Sequence, residues 1–301
     1  MTGNTTIQPA DADDNAAVNA AYNHVVNLLP VATRLYFDAD THPAAGSRLA
    51  KAKEDADLYV THSLAGILFQ ASEDHLLLVS GAFPAMPIPR YSLYTVIRGA
   101  IEAAAWCCWL EDPTSGIEQQ VARGLTERLT SIGELNKLGR ASNFAKQVAQ
   151  MQKVAAKFGI DAIAHSKTVP DPIAFGERRP TMTGLLRGLL PATGVATAGL
   201  SLGEHTYKTL SARAHATGWA LIEGAVPVEK VDAHTTLAYV TADIPELLRV
   251  LRIAVDLHIR CVRQRLTLAG RGEQEFDDAT EGIPTFEPTE AISGREPPTT
   301  G

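Results

Sequence analysis

From Leu93 to Leu110 the chain carries only two charged side chains, Arg98 and Glu102. A helix over that stretch is apolar nearly all round, so other elements must enclose it. It is shorter than the ~20 residues that cross a bilayer, and two charges inside it are costly in lipid. A central helix of a bundle is the arrangement that accommodates both facts, and no membrane span is expected.

The rest of the chain is consistent with that centre. Ala and Leu are abundant and aromatics make up only 6% of residues, a balance that favours helix because those side chains lose little rotamer freedom there. Apolar residues recur at three- and four-residue spacing, which predicts helices near 48–80, 90–110, 117–138, 142–158, 183–190, 205–215 and 245–269. The cluster Pro84, Pro87 and Pro89 breaks the first from the second, and Asp112, Pro113 and Gly116 end the second. Residues 159–180, rich in Pro, Asp, Gly and His, read as a long loop. Neither a fixed-period repeat nor a succession of strands is present, so the expected class is all-α, a multi-helix bundle.

The net charge of −7 is unevenly placed. Asp11, Asp13 and Asp14 make the first residues acidic, and eight acids against Arg271 and Arg295 give residues 270–301 a charge of −6. Both ends are poor in apolar residues, so the expected organisation is a disordered tail over 1–20, one helical domain over 21–269, and a disordered acidic tail over 270–301. Residues 1–19 resemble neither a secretory signal nor a transit peptide, which points to a cytoplasmic protein. Cys107, Cys108 and Cys261 suit neither a disulfide framework nor a zinc site and read as core thiols. No glycine-rich phosphate loop or metal-binding spacing occurs, so neither a cofactor nor a metal is expected.

Three constellations stand out. Arg98 and Glu102, four residues apart, share one face of the central helix, where partial burial obliges each to find a partner. They form either a structural ion pair or one wall of a polar pocket, with Arg123 and Glu127 able to extend the network. Tyr207, Ser211 and His215 fall within roughly 80° of one helix face. They read either as a solvated side or as a pocket lining whose imidazole is the group that changes protonation nearest neutral pH. Arg249, Arg252, Asp256, Arg260 and Arg263 form a narrow stripe on the last helix. That stripe reads as a solvated face, an anion or RNA contact, or a docking site for the acidic tail.

Arg98-Gly-Ala-Ile-Glu102, the Trp109-Leu-Glu-Asp-Pro113 that ends the same helix, and Tyr207-Lys-Thr-Leu-Ser211-Ala-Arg-Ala-His215 together resemble the HEPN-like and abortive-infection type helical proteins of bacteria. The resemblance implies a compact, often dimeric helical bundle whose active members cut RNA without metal through an Arg-x(4 to 6)-His motif. The chain departs from that motif ahead of His215, where Lys208 stands in place of the expected arginine and Arg213 is too near. Arg252 and His258 match formally, but that spacing sets them roughly 120° apart on a helix, and His258 reads as a core histidine. Two functions follow as expectations. The first is a helical binding or regulatory protein, in a bacterial defence or stress setting, with Arg98, Glu102, Arg123, Tyr207, Ser211 and His215 as its binding residues. The second is a metal-independent RNase with His215 moving the proton and Arg98 or Arg252 stabilising charge on phosphate. The expected partners are a second copy of the chain and an RNA or small anionic ligand.

Overall fold

The computed structural model describes residues 12–84, 91–164, 172–190, 200–215, 217, 225–230, 236–240 and 243–286. Among these are ten helices: α1 (Ala12–Thr41), α2 (Arg48–Lys53), α3 (Ala56–Ala82), α4 (Ser92–Leu110), α5 (Ile117–Lys137), α6 (Phe144–Lys157), α7 (Met182–Leu189), α8 (Leu202–Ala214), α9 (Ile244–Leu268) and α10 (Gln274–Thr280). Two antiparallel pairs of short strands accompany them, β1 (Ala162–Ala164) with β2 (Pro172–Phe175) and β3 (Ala225–Lys230) with β4 (Thr236–Val240). None of the helices is long and apolar enough to cross a membrane.

The fold is built around α4, which packs along α3 on one side and against α9, α8 and α7 on others. Thirteen of its residues are buried, Ala103 to Leu110 without a break. Such continuous burial follows from the all-round apolar sequence and leaves Arg98 and Glu102 as the helix's charged edge. The main core joins α1, α3, α4, α7, α8 and α9. A second, smaller core of Val121, Leu125, Leu129, Ile132, Met151, Val154, Ala155 and Phe175 lies between α5, α6 and β2.

Helix ends follow local chemistry. Ser47, Asp55, Thr181, Ser201 and Asp243 cap α2, α3, α7, α8 and α9 through their side-chain oxygens, and Ser201 with Glu204 completes a capping box. Two glycines let helices approach closely. Gly99 on α4 sits under the His75 ring of α3, and Gly203 on α8 lies against the Leu186 carbonyl of α7, where an added Cβ would collide with backbone.

The expected tails need correction at both ends. Residues 12–20 are the first turns of α1, whose buried stripe Val18, Ala21, Val25, Leu28, Ala32, Leu35 and Ala39 packs into the core. Residues 271–286 are also ordered. Phe276 and Phe286 are buried, Arg271 pairs with Asp38 and Glu275, and the Pro284 carbonyl contacts His24 Nδ1 at 2.9 Å. The remainder of each tail lies outside the described residues. The expected 48–80 helix is divided at Glu54 and Asp55, and part of the 159–180 loop is the β1–β2 pair.

Candidate functional site

The sequence-predicted residues of α4 and α8 meet. Arg98 Nε donates to Glu102 Oε1 at 2.7 Å, its Nη2 donates to the Tyr207 hydroxyl at 3.1 Å, and that hydroxyl donates to Glu102 Oε1 at 3.1 Å. The guanidinium also lies over the Tyr207 ring, 5.1 Å from its centroid. Its remaining nitrogen, Nη1, is 3.3 Å from His215 Nε2. Arginine only donates, so this contact is a hydrogen bond when Nε2 carries no proton.

This cluster stands at the edge of the fold. Arg98 and Glu102 are 20% and 34% exposed at their side chains, and His215 is exposed. Burial works against the Arg98 charge, but the hydrogen bond and charge of Glu102 outweigh it and hold the guanidinium above its ordinary range. The Tyr207 phenol is likewise raised, first by partial burial and then by the Glu102 charge. Local sequence sets the placement: the capping box starts α8, and Tyr207 and His215, two turns apart, project on the face turned to Arg98. His215 itself is the C-cap, its backbone N–H bonded to the Ser211 carbonyl at 2.9 Å.

Other predicted residues lie elsewhere. Ser211 is half-buried on α8, and among the described residues its hydroxyl joins none of the cluster's side chains. Arg123 does not extend the network: it binds Glu177, Asp112 and the Trp109 carbonyl, and lies over the Trp109 ring. Glu127 pairs with Arg179. Both α5 residues therefore tie their helix to the segment after β2, because α5 passes the small second core rather than α8.

The basic stripe of α9 is already occupied. Arg249 pairs with Glu246, Arg252 with Asp256 and the Phe286 carbonyl, Arg260 with the Leu189 carbonyl, and Arg263 with Asp277 at 2.6 Å and Glu273 at 3.7 Å. Residues 271–286 thus lie on Arg252 and Arg263, while Arg249 pairs within α9 and Arg260 reaches α7. His258 is fully buried against Phe69.

A second polar centre was not foreseen. Glu111, the last residue before the Asp112-Pro113 break, is completely buried. Its carboxylate pairs with Arg265 Nη1 at 2.7 Å and His62 Nδ1 at 2.9 Å, and accepts the Tyr36 hydroxyl at 2.9 Å. Arg265 also donates to the His62 carbonyl and lies over the Tyr36 ring, while Asp40, 3.8 Å away, receives Tyr59 and Lys53. Burial opposes the Arg265 charge, but Glu111, Tyr36 and Asp40 raise its pKa above the ordinary value; burial also lifts Tyr36 well above the usual phenol. Glu111, Arg265, His62 and Tyr36 are buried, while Asp40 and Lys53 lead toward the surface. The centre joins α1, α3, α4 and α9, which makes it a structural lock.

The three cysteines are buried free thiols, with Cys108 and Cys261 sulfurs 3.5 Å apart. A surface groove of about 540 Å³ between α1 and α10 is lined by Arg34, Leu35, Asp38, Glu275, Asp278 and Ala279, none of them in the Arg98 cluster. Among the described residues no group of His, Cys, Asp and Glu is placed to hold a metal ion. Compared with protein-family models, curated proteins and solved structures, the chain finds no match. The functional reading therefore rests on the chemistry of the cluster itself.

Proposed function

We propose that the chain is a helical binding protein whose Arg98, Glu102, Tyr207 and His215 recognise a small anionic group on a partner or ligand. The observation that carries this reading is the approach of Arg98 Nη1 to His215 Nε2, 3.3 Å, on the exposed side of the cluster. Glu102 and Tyr207 hold the other two nitrogens of the guanidinium, so Arg98 is oriented before any ligand arrives and presents one edge outward. An oxyanion at that edge gains charge-assisted hydrogen bonds, roughly twice the strength of neutral ones. Titration with sulfate and with nucleoside monophosphates, followed by calorimetry, tests it. Saturable binding lost in Arg98→Gln is expected; equal heats from wild type and variant would remove the reading.

The same pair favours one alternative, metal-independent RNA cleavage of the HEPN kind. An imidazole beside a guanidinium has the elements for moving a proton at a phosphodiester and stabilising the charge that develops. Incubation of a mixed RNA pool in EDTA decides between the two. Cleavage by wild type and none by folded His215→Ala supports the nuclease; intact RNA with both, alongside anion binding, leaves recognition without chemistry.

A further inference from the structure

The way Arg98 and His215 share a hydrogen bond says how the site takes its ligand. His215 Nε2 can accept from Arg98 only while that nitrogen carries no proton. Once protonated, it and Arg98 Nη1 become two donors, both positive, on adjacent atoms, and among the described residues no acceptor bridges them. An anion oxygen placed there satisfies both at once. We infer that anion binding at this site is coupled to uptake of a proton by His215: the free site holds neutral imidazole against Arg98, and the occupied site holds imidazolium and guanidinium on one oxyanion. This deepens the anion-binding reading and depends on it.

The surroundings of the imidazole support the exchange. Its C-cap position on α8 puts it at the carbonyl end of that helix, with Nε2 turned to Arg98. The charged and titratable groups of α4 that meet it are Arg98 and, through Arg98, Glu102; on its own helix Tyr207 lines the same face and Lys208 is exposed. Among the described residues, Arg187 of α7 is committed to Glu204 and Arg249 of α9 to Glu246. Arg213 of α8 lies over the Tyr94 ring instead. With the imidazole neutral, Arg98 is matched by Glu102 and the cluster carries no net charge to add to the Arg98 edge. Protonation of His215 adds one positive charge beside that edge. The proton moves from solvent to Nε2, Nδ1 keeps its own, and the Arg98–His215 hydrogen bond is replaced by two bonds to the ligand.

Sulfate is the appropriate probe because it does not itself titrate between pH 5 and 8. Calorimetric titration of the full chain in two buffers of different ionisation enthalpy reads the protons taken up per sulfate bound, and repetition across pH reads the affinity. The expected result is uptake approaching one proton at the higher pH, with affinity falling about tenfold per pH unit there. In His215→Gln, whose amide can still donate a hydrogen bond, weaker binding with no proton uptake and a flat pH profile is expected. Sulfate binding with no buffer dependence in wild type, or with unchanged uptake in His215→Gln, overturns the coupling while leaving anion recognition standing. No saturable binding at any pH overturns the recognition reading, and the coupling with it.

Discussion

Acidification from pH 7 to pH 4.5 loads one core residue in a way the structure makes calculable. His258 is completely buried on α9, its ring stacked 4.4 Å from that of Phe69 and its Nδ1 3.2 Å from the Ser72 hydroxyl. Its Nε2 is buried with no hydrogen-bond partner. Burial alone depresses its pKa from 6.5 to about 3. Below pH 6.5 the unfolded chain binds a proton at this residue and the folded chain does not, so stability is full above that value and falls as pH drops toward 3. Each pH unit in this window costs about 1.4 kcal/mol, giving a loss of about 3 kcal/mol by pH 4.5. His24, whose pKa burial also lowers, adds to the loss with the same sign, and carboxylates enter at the lower end. The measurement is therefore a difference of differences: urea unfolding of wild type and His258→Leu at both pH values, followed by circular dichroism. The substitution carries its own packing cost, including a Ser72 hydroxyl left without its ring partner, but that cost is the same at both pH values and cancels. Wild type should lose about 3 kcal/mol more than the variant on acidification. Parallel losses in the two proteins would mean that the native state accommodates a charged or hydrated His258, and the account of this core as closed would fail.

Glu111→Gln leaves Arg265 charged and buried with only distant Asp40 to balance it, and should cost about 3–5 kcal/mol in chemical unfolding; adding Arg265→Met should recover part of that loss. A thermal midpoint for Glu111→Gln equal to wild type would show that the buried pair is not carrying charge. Gly203→Ala drives a methyl group into the Leu186 carbonyl and should destabilise by about 1–3 kcal/mol, whereas Gly133→Ala, in the interior of α5 with open space around it, should stabilise by up to about 1 kcal/mol. Reversed signs in that pair would contradict the α7–α8 packing. Truncation after Gly270 removes two buried phenylalanines, Phe276 and Phe286, and should cost at least about 5 kcal/mol relative to truncation after Phe286. Equal stability of the two truncated forms would mean that 271–286 does not hold α1 to α9.

What could be read in advance follows the range of the interactions involved. Helices α4, α5, α6 and α9 lie within about two residues of their expected bounds because their ends are written locally, in Pro113, Gly116 and the Asp243–Pro245 cap. Arg98 with Glu102, and Tyr207 with His215, were legible for the same reason, since helical spacing alone puts each pair on one face. That α8 would bring its face to Arg98, and not to Arg123 one helix later, depends on the path of the chain between α5 and α8. Helix α1 is a different case. Its stripe from Val18 to Ala39 has the full helical period, but alanines, an acidic start and Pro30 dilute it, so burial against α9 rather than strong local preference orders it. The segment 271–286 was illegible for a related reason: α10 has seven residues and one buried phenylalanine, and its anchors are Asp38, His24, Arg252 and Arg263 on two distant helices. Glu111 shows the limit most clearly. Beside Asp112 and Pro113 it looks like a solvated carboxylate ending a helix, and its partners His62 and Tyr36 stand 49 and 75 positions away. One signal was available: Cys107 with Glu111 on α4, and Cys261 with Arg265 on α9, put one charge of each sign a turn beyond a small thiol on helices that must both be central. Opposite charges on the apolar faces of two enclosed helices have to meet, because neither can be buried alone.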